Sequence, residues 1–131
     1  MIVADTNLIA YSLIAGPLTA DADRVLEADE EWLAAPLWRS EFLNVLWMSV
    51  RRGVITHPEA EAAYGEAELL VRTVERPDHR QVLGLALASG CTAYDCEFVA
   101  LATAERLPLV TADSKVLAAF PSVAVSIRSF P

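Results

Sequence analysis

A chain of 131 residues that is 54% hydrophobic and 21% charged has ample material for one buried core, which excludes a disordered tail or a low-complexity linker. Its net charge of −8, from 18 acidic and 10 basic residues, argues against a nucleic-acid binder that grips phosphates with a basic surface. That exclusion lapses where several acids share one site and hold divalent cations, because the bound ions reverse the local sign.

In chain order, Met1–Ala4 reads as a short apolar strand. Thr6–Ile14 reads as a helix that stops at Gly16-Pro17, and Ala20–Asp29 as a second helix with charge on one face. A short strand over Glu31–Ala34 ends at Pro36. A long helix follows over Leu37–Arg52, closed by Gly53. Pro58 suits the first turn of the next helix, which runs to about Val71. Thr73–Glu75 is a weak strand. Asp78 opens a helix that Gly90 stops. Tyr94–Arg106 is another helix, Leu109–Thr111 a strand, Ser114–Phe120 a short helix and Val123–Ile127 a last strand. No repeat or polar linker divides the chain, so residues 1–131 are expected to form a single domain. Strands alternating with helices imply βα units and a mostly parallel sheet covered on both faces.

The helix through Phe42, Leu46 and Val50 is apolar on nearly every side, where a surface helix keeps a polar stripe. It is expected to be enclosed or to pack against another chain. Trp32, Trp38 and Trp47 are expected in the core or an interface. Cys91 and Cys96 match no zinc-ligand spacing and make a poor disulfide framework, so they are read as small buried residues of a reducing compartment. No stretch has the length and apolarity of a membrane span or the form of an export signal; the expected location is the cytoplasm, without a membrane.

Four carboxylates hold the chemistry. Asp5 and Asp113 each follow a strand and precede a helix, and Asp95 opens a helix. In a parallel sheet, residues after the carboxyl ends of different strands gather along one edge, where open α/β folds bind ligands. Each Asp alone has a plainer explanation as a helix cap, and Thr92-Ala93-Tyr94-Asp95 has the form of a capping box. Glu41 has no cation one turn away on its helix, so burying it requires a metal ion or a distant partner, unless it faces water. Crowded carboxylates suit Mg²⁺ or Mn²⁺, which favour oxygen ligands and can activate water and orient a phosphate. Thr6 and Asn7 are placed to orient Asp5 or a metal-held water. Thr111, two residues before Asp113 in extended chain, is placed to contact a water or phosphate. Arg39 and Lys115 flank the acids in sequence and are candidate phosphate contacts. His57 and His79 lie away from these segments.

Val3-Ala4-Asp5-Thr6-Asn7, Ser40-Glu41, Tyr94-Asp95 with Phe98-Val99-Ala100-Leu101-Ala102, and Val110-Thr111-Ala112-Asp113, in this order, resemble the PIN-domain ribonucleases, above all the VapC-type toxins of toxin–antitoxin pairs. The resemblance covers essentially the whole chain. It implies an α/β, PIN-like three-layer sandwich with a parallel sheet of about five strands. It implies an Mg²⁺- or Mn²⁺-dependent endoribonuclease whose acids Asp5, Glu41, Asp95 and Asp113 bind the metal and carry catalysis. It further implies a homodimer and a VapB-type antitoxin whose tail enters the active-site groove, contacts that the apolar helix would suit. Cys96 and Glu97 depart from the small residues common in the family after the third acid; Glu97 is expected to point to solvent.

Other families fit less well. A haloacid-dehalogenase phosphatase needs a second Asp where Asn7 stands, and a receiver domain needs an acidic pair near the first strand. A structure-specific DNA nuclease usually carries insertions absent from this chain. A catalytically silent PIN-like interaction module and a housekeeping PIN ribonuclease of RNA processing are the remaining alternatives.

Overall fold

The computed structural model describes residues 1–75 and 77–131. Five short strands form one sheet: β1 (Ile2–Ala4), β2 (Trp32–Ala34), β3 (Val71–Thr73), β4 (Leu109–Thr111) and β5 (Ala124–Ser126). The helices are α1 (Thr6–Leu13), α2 (Thr19–Ala28), α3 (Trp38–Arg51), α4 (His57–Leu70), α5 (His79–Ser89), α6 (Ala93–Glu105) and α7 (Ser114–Ala119). Every strand pairing is parallel, in the order β3-β2-β1-β4-β5. All residues of β1, β2 and β4 are buried, as strands covered by helices on both faces require.

The chain builds outward from β1 to β2 and β3, then returns to the other side of β1 with β4 and β5. The crevice between the carboxyl ends of β1 and β4 is therefore the point where the winding reverses, the place where open α/β sheets bind ligands. Val3 pairs with Leu109 and Ala4 with Val110, so the next step of that register sets Asp5 beside Thr111.

Local sequence explains most boundaries. Thr56 and Glu59 form a reciprocal capping box at the start of α4, with a proline in its first turn. Asp78 caps α5, and Gly90 ends it in the left-handed region at φ 74°. Expected and observed ends agree within about two residues, with one displaced strand. The weak strand expected at Thr73–Glu75 lies instead at Val71–Thr73. Helix α4 runs straight into it, Val71 is buried opposite Trp32, and Arg72 faces out; burying Val71 in register with β2 fixes the pairing.

Helix α3 is covered along one side only. Trp38, Phe42 and Leu46 are buried, and Trp38 and Phe42 stack on Tyr64 of α4 with centroids 6.0 and 6.4 Å apart. Leu43 and Trp47 are exposed. Trp32 and Trp38 thus belong to the core, whereas Trp47 lies at the surface with the Arg51 guanidinium 5.2 Å from its ring centre. Cys91 and Cys96 are buried free thiols, as expected. Among the described residues no single helix is long and apolar enough to cross a membrane.

Candidate active site

Asp5, Glu41, Asp95 and Asp113 line one pocket of about 210 Å³ at the β1–β4 crevice. Thr6, Asn7, Asn44 and Thr111 line it as well, and Phe98 and Val116 contribute apolar wall. Neither a histidine nor a cysteine is in this lining, so the donors are hard oxygens, the set that magnesium-like ions prefer.

Each acid is fixed by a different local device. Asp5 is the N-cap of α1: its Oδ1 accepts from the Leu8 amide at 2.8 Å, and its Oδ2 accepts from the Thr111 hydroxyl at 2.5 Å. Asp113 caps α7, its Oδ1 accepting from the amides of Lys115 and Val116, while its own amide donates to Thr111 Oγ1 at 3.0 Å. One threonine hydroxyl thus ties the two acids of adjacent strands together. Asp95 stands in the first turn of α6, where its amide donates to Oγ1 of the N-cap Thr92. Only that half of the expected capping box forms among the described residues, and the Asp95 carboxylate accepts no bond there. Glu41 reaches in from α3 and accepts from the Thr6 hydroxyl at 2.7 Å. The capping explanation therefore holds for Asp5 and Asp113 and does not compete with convergence: a cap spends one carboxylate oxygen and holds the other at the crevice.

Electrostatics follow from this crowding. Burial pushes the Asp5 carboxyl up from 3.8 to about 6; the bonds from Thr111 and Leu8 oppose the rise, and the charges of Asp113 and Asp95 add to it. Burial also raises Glu41, against the Thr6 bond and with the charge of Asp95. Glu97, expected to face solvent, is half-buried; burial and then the charge of Glu41 raise it. It does not line the pocket. Tyr11, one turn beyond Asn7 on α1, is raised by burial and then by Asp5 and Asp113, so its phenol stands in the field of the same acids. Among the described residues no three acids are already close enough to clasp an ion directly.

The other expected site residues are placed as follows. Thr6 is buried and serves Glu41 instead of Asp5. Thr111 is buried, and its hydroxyl donates to Asp5. Asn7 is exposed on the pocket wall. Arg39 does not line the pocket; its guanidinium pairs with Glu68 at 3.1 Å and lies over the Trp38 ring. Lys115 is exposed beyond Asp113 and is also outside the lining. Sequence reasoning missed Asn44. Its spacing one turn after Glu41 was the available signal.

A model of the PIN domain matches residues 2–123. The chain belongs to the PIN-domain family. This PIN-domain chain is 29% identical over 126 residues to a protein named Ribonuclease VapC3 from Pyrobaculum aerophilum, an alignment covering 93% of this chain and 96% of that one. Among solved structures it superposes on PAE2754 from Pyrobaculum aerophilum with a TM-score of 0.80 and 23% identity, covering 98% of this chain and 90% of that one. A toxin–antitoxin complex from Klebsiella pneumoniae matches with a TM-score of 0.69 and 20% identity, covering 97% of this chain and 98% of that one. The solved structures establish the shared PIN fold, a five-stranded parallel sheet between helices.

Proposed function

We propose that this PIN-domain protein is an endoribonuclease, the toxin of a VapBC-type pair, working in the cytoplasm as one domain over residues 1–131 with Mg²⁺ or Mn²⁺. The observation that carries the reading is the convergence of Asp5, Glu41, Asp95 and Asp113 on one pocket at the sheet's switch point, with no lysine or arginine in its lining among the described residues. Such a pocket repels a phosphodiester until cations enter it. Burial, and to a smaller degree the charges of neighbouring acids, raises the Asp5 and Glu41 carboxyls, and a divalent ion beside them would favour their ionised forms.

The four acids would hold the metal. When bound, it supplies neutralisation of phosphate charge and a water acidic enough to act as nucleophile. The chain's own residues do the positioning. The α1 cap and the Thr111 hydroxyl fix both oxygens of Asp5, the α7 cap fixes Asp113, and the Thr6 hydroxyl holds Glu41. Phe98 and Val116 exclude water from one wall.

The partners in this reading are RNA, a VapB-type antitoxin and a second copy of the chain. Leu43, Leu46, Trp47 and Val50 of α3 form, with Ala60 and Tyr64 of α4, an apolar groove that suits an antitoxin segment.

The test is cleavage of single-stranded RNA with Mg²⁺ or Mn²⁺. Loss of one partner that orients a metal ligand typically costs about 10–100-fold, so Asp95→Asn or Asp5→Asn, which alter ligands themselves, should lower cleavage by about 100-fold or more. Circular dichroism should stay unchanged. Undiminished cleavage by both variants refutes the site.

A further inference from the structure

The acids account for the scissile phosphate, but not for the nucleotides on either side of it. Those nucleotides bring further phosphates to the mouth of a pocket whose own charge opposes them. Among the described residues no lysine or arginine lines the pocket, and the nearest in sequence to Glu41, Arg39, is engaged with Glu68. A cation inside would in any case pair with the carboxylates and compete with the divalent ion. What the lining does hold is two carboxamides. Asn7 lies in the first turn of α1, directly after Thr6, and Asn44 lies one turn beyond Glu41 on α3. Both are exposed. Their neighbours Thr6 and Glu41 bond to each other at 2.7 Å, which joins α1 to α3 beside the pocket, and Asn7 and Asn44 line it from those two helices. The Asn7 side chain has no hydrogen bond among the described residues. Asn44 Nδ2 reaches only the Met48 sulfur at 3.8 Å, a long contact to a weak acceptor.

We propose that Asn7 and Asn44 form a neutral clamp on the RNA strand, their carboxamide N–H groups donating to sugar–phosphate oxygens of the nucleotides that flank the scissile bond. A carboxamide offers two donors without a charge, so it grips an anion while leaving the acids free for the metal. The clamp rests on the ribonuclease reading above, and it assigns substrate grip to residues that bind no metal.

The experiment uses the full chain, a labelled single-stranded RNA of mixed sequence and Mn²⁺. Losing one solvent-exposed hydrogen bond to the strand corresponds to about a 3- to 10-fold effect, so Asn7→Ala and Asn44→Ala should each raise KM by about that factor, with kcat within about twofold. Asn44→Asp should bind more weakly than Asn44→Ala, since it removes the donor and adds a charge facing phosphates. Anisotropy titrations in Ca²⁺ should show the same order of affinities. The melting temperature and its rise with Mn²⁺ should match the wild type, as expected for exposed side chains outside the metal set. Wild-type KM in both alanine variants, a loss confined to kcat, or equal binding by the Asp and Ala variants overturns the clamp while the ribonuclease reading stands. A wild-type chain that cuts no RNA overturns both.

Discussion

At the scale of single residues, the pocket runs on two threonines that hold no metal themselves. Thr6 connects α1 to Glu41 and Thr111 connects β4 to Asp5, contacts between residues far apart in sequence. Thr6→Val keeps the shape and removes the donor, leaving Glu41 half-buried without its bond. It should weaken Mn²⁺ binding by about 10–100-fold, read as a smaller thermal stabilisation at each Mn²⁺ concentration, and Thr6→Ser should restore most of it. Wild-type Mn²⁺ dependence in Thr6→Val would remove this role. Asp5 gives a pH prediction. Its folded-state value, raised from 3.8 to about 6, means that the metal-free protein binds this proton more tightly than the unfolded chain does. The associated stability is fully present below about pH 4 and is lost as pH rises through 6, with a magnitude of about 3 kcal/mol. Metal-free melting temperature should therefore fall between pH 4 and 7 in the wild type and fall less in Asp5→Asn. Saturating Mn²⁺ should flatten the wild-type trend, because the ion stabilises the ionised form. Identical metal-free pH profiles for wild type and variant would reject the assignment.

At the scale of elements, the helices were legible because their ends are written locally. Asp5, Asp78 and Asp113 cap helices, Thr56 and Glu59 form a box, and Gly90 stops α5. One end breaks this pattern. Helix α6 finishes on Arg106 at φ 56° and ψ 42°, a left-handed conformation that costs a side-chain-bearing residue about 1–2 kcal/mol. Arg106→Gly should stabilise the protein by about 0.5–1 kcal/mol and raise its melting temperature by a few degrees, without changing cleavage. An unchanged or lower melting temperature would mean that the arginine stem contributes more packing than the backbone strain costs. The strands were less legible. Each is three residues long, and β3 was displaced because its limits come from pairing with β2, which no local signal encodes. The same reason hid the partners of the site residues. Asp5, Asp95 and Asp113 could be assigned to one edge from the alternation of strands and helices. That Thr6 serves Glu41, that Glu97 lies in the field of Glu41, and that Asn44 lines the pocket all depend on how α3 and α6 pack over that edge.

At the scale of the whole molecule, a protein with net charge −8 repels its own copies, so self-association needs a contact surface free of acids. The toxin reading asks for two protein partners, a second copy and an antitoxin, and both α3 and α5 expose large apolar side chains. The α3–α4 groove includes His57 and Glu61 beside Leu43 and Trp47, and Arg51 lies over Trp47. Charges of both signs there suit a different chain whose own charges can complement them. Helix α5 exposes Leu83 at 56% and Leu87 at 79% and contains no acidic residue. In a twofold contact each surface meets itself, so a helix whose own residues include no acid suits contact between two identical acidic chains. Purified protein should therefore scatter light as a dimer at micromolar concentration. Leu83→Glu with Leu87→Glu should make it a monomer, and Leu43→Ala with Trp47→Ala should leave the dimer intact. A monomeric wild type would reject self-association altogether. A dimer that survives the α5 pair and dissociates on the α3 pair would transfer the contact to the groove, leaving the antitoxin without the apolar surface assigned to it.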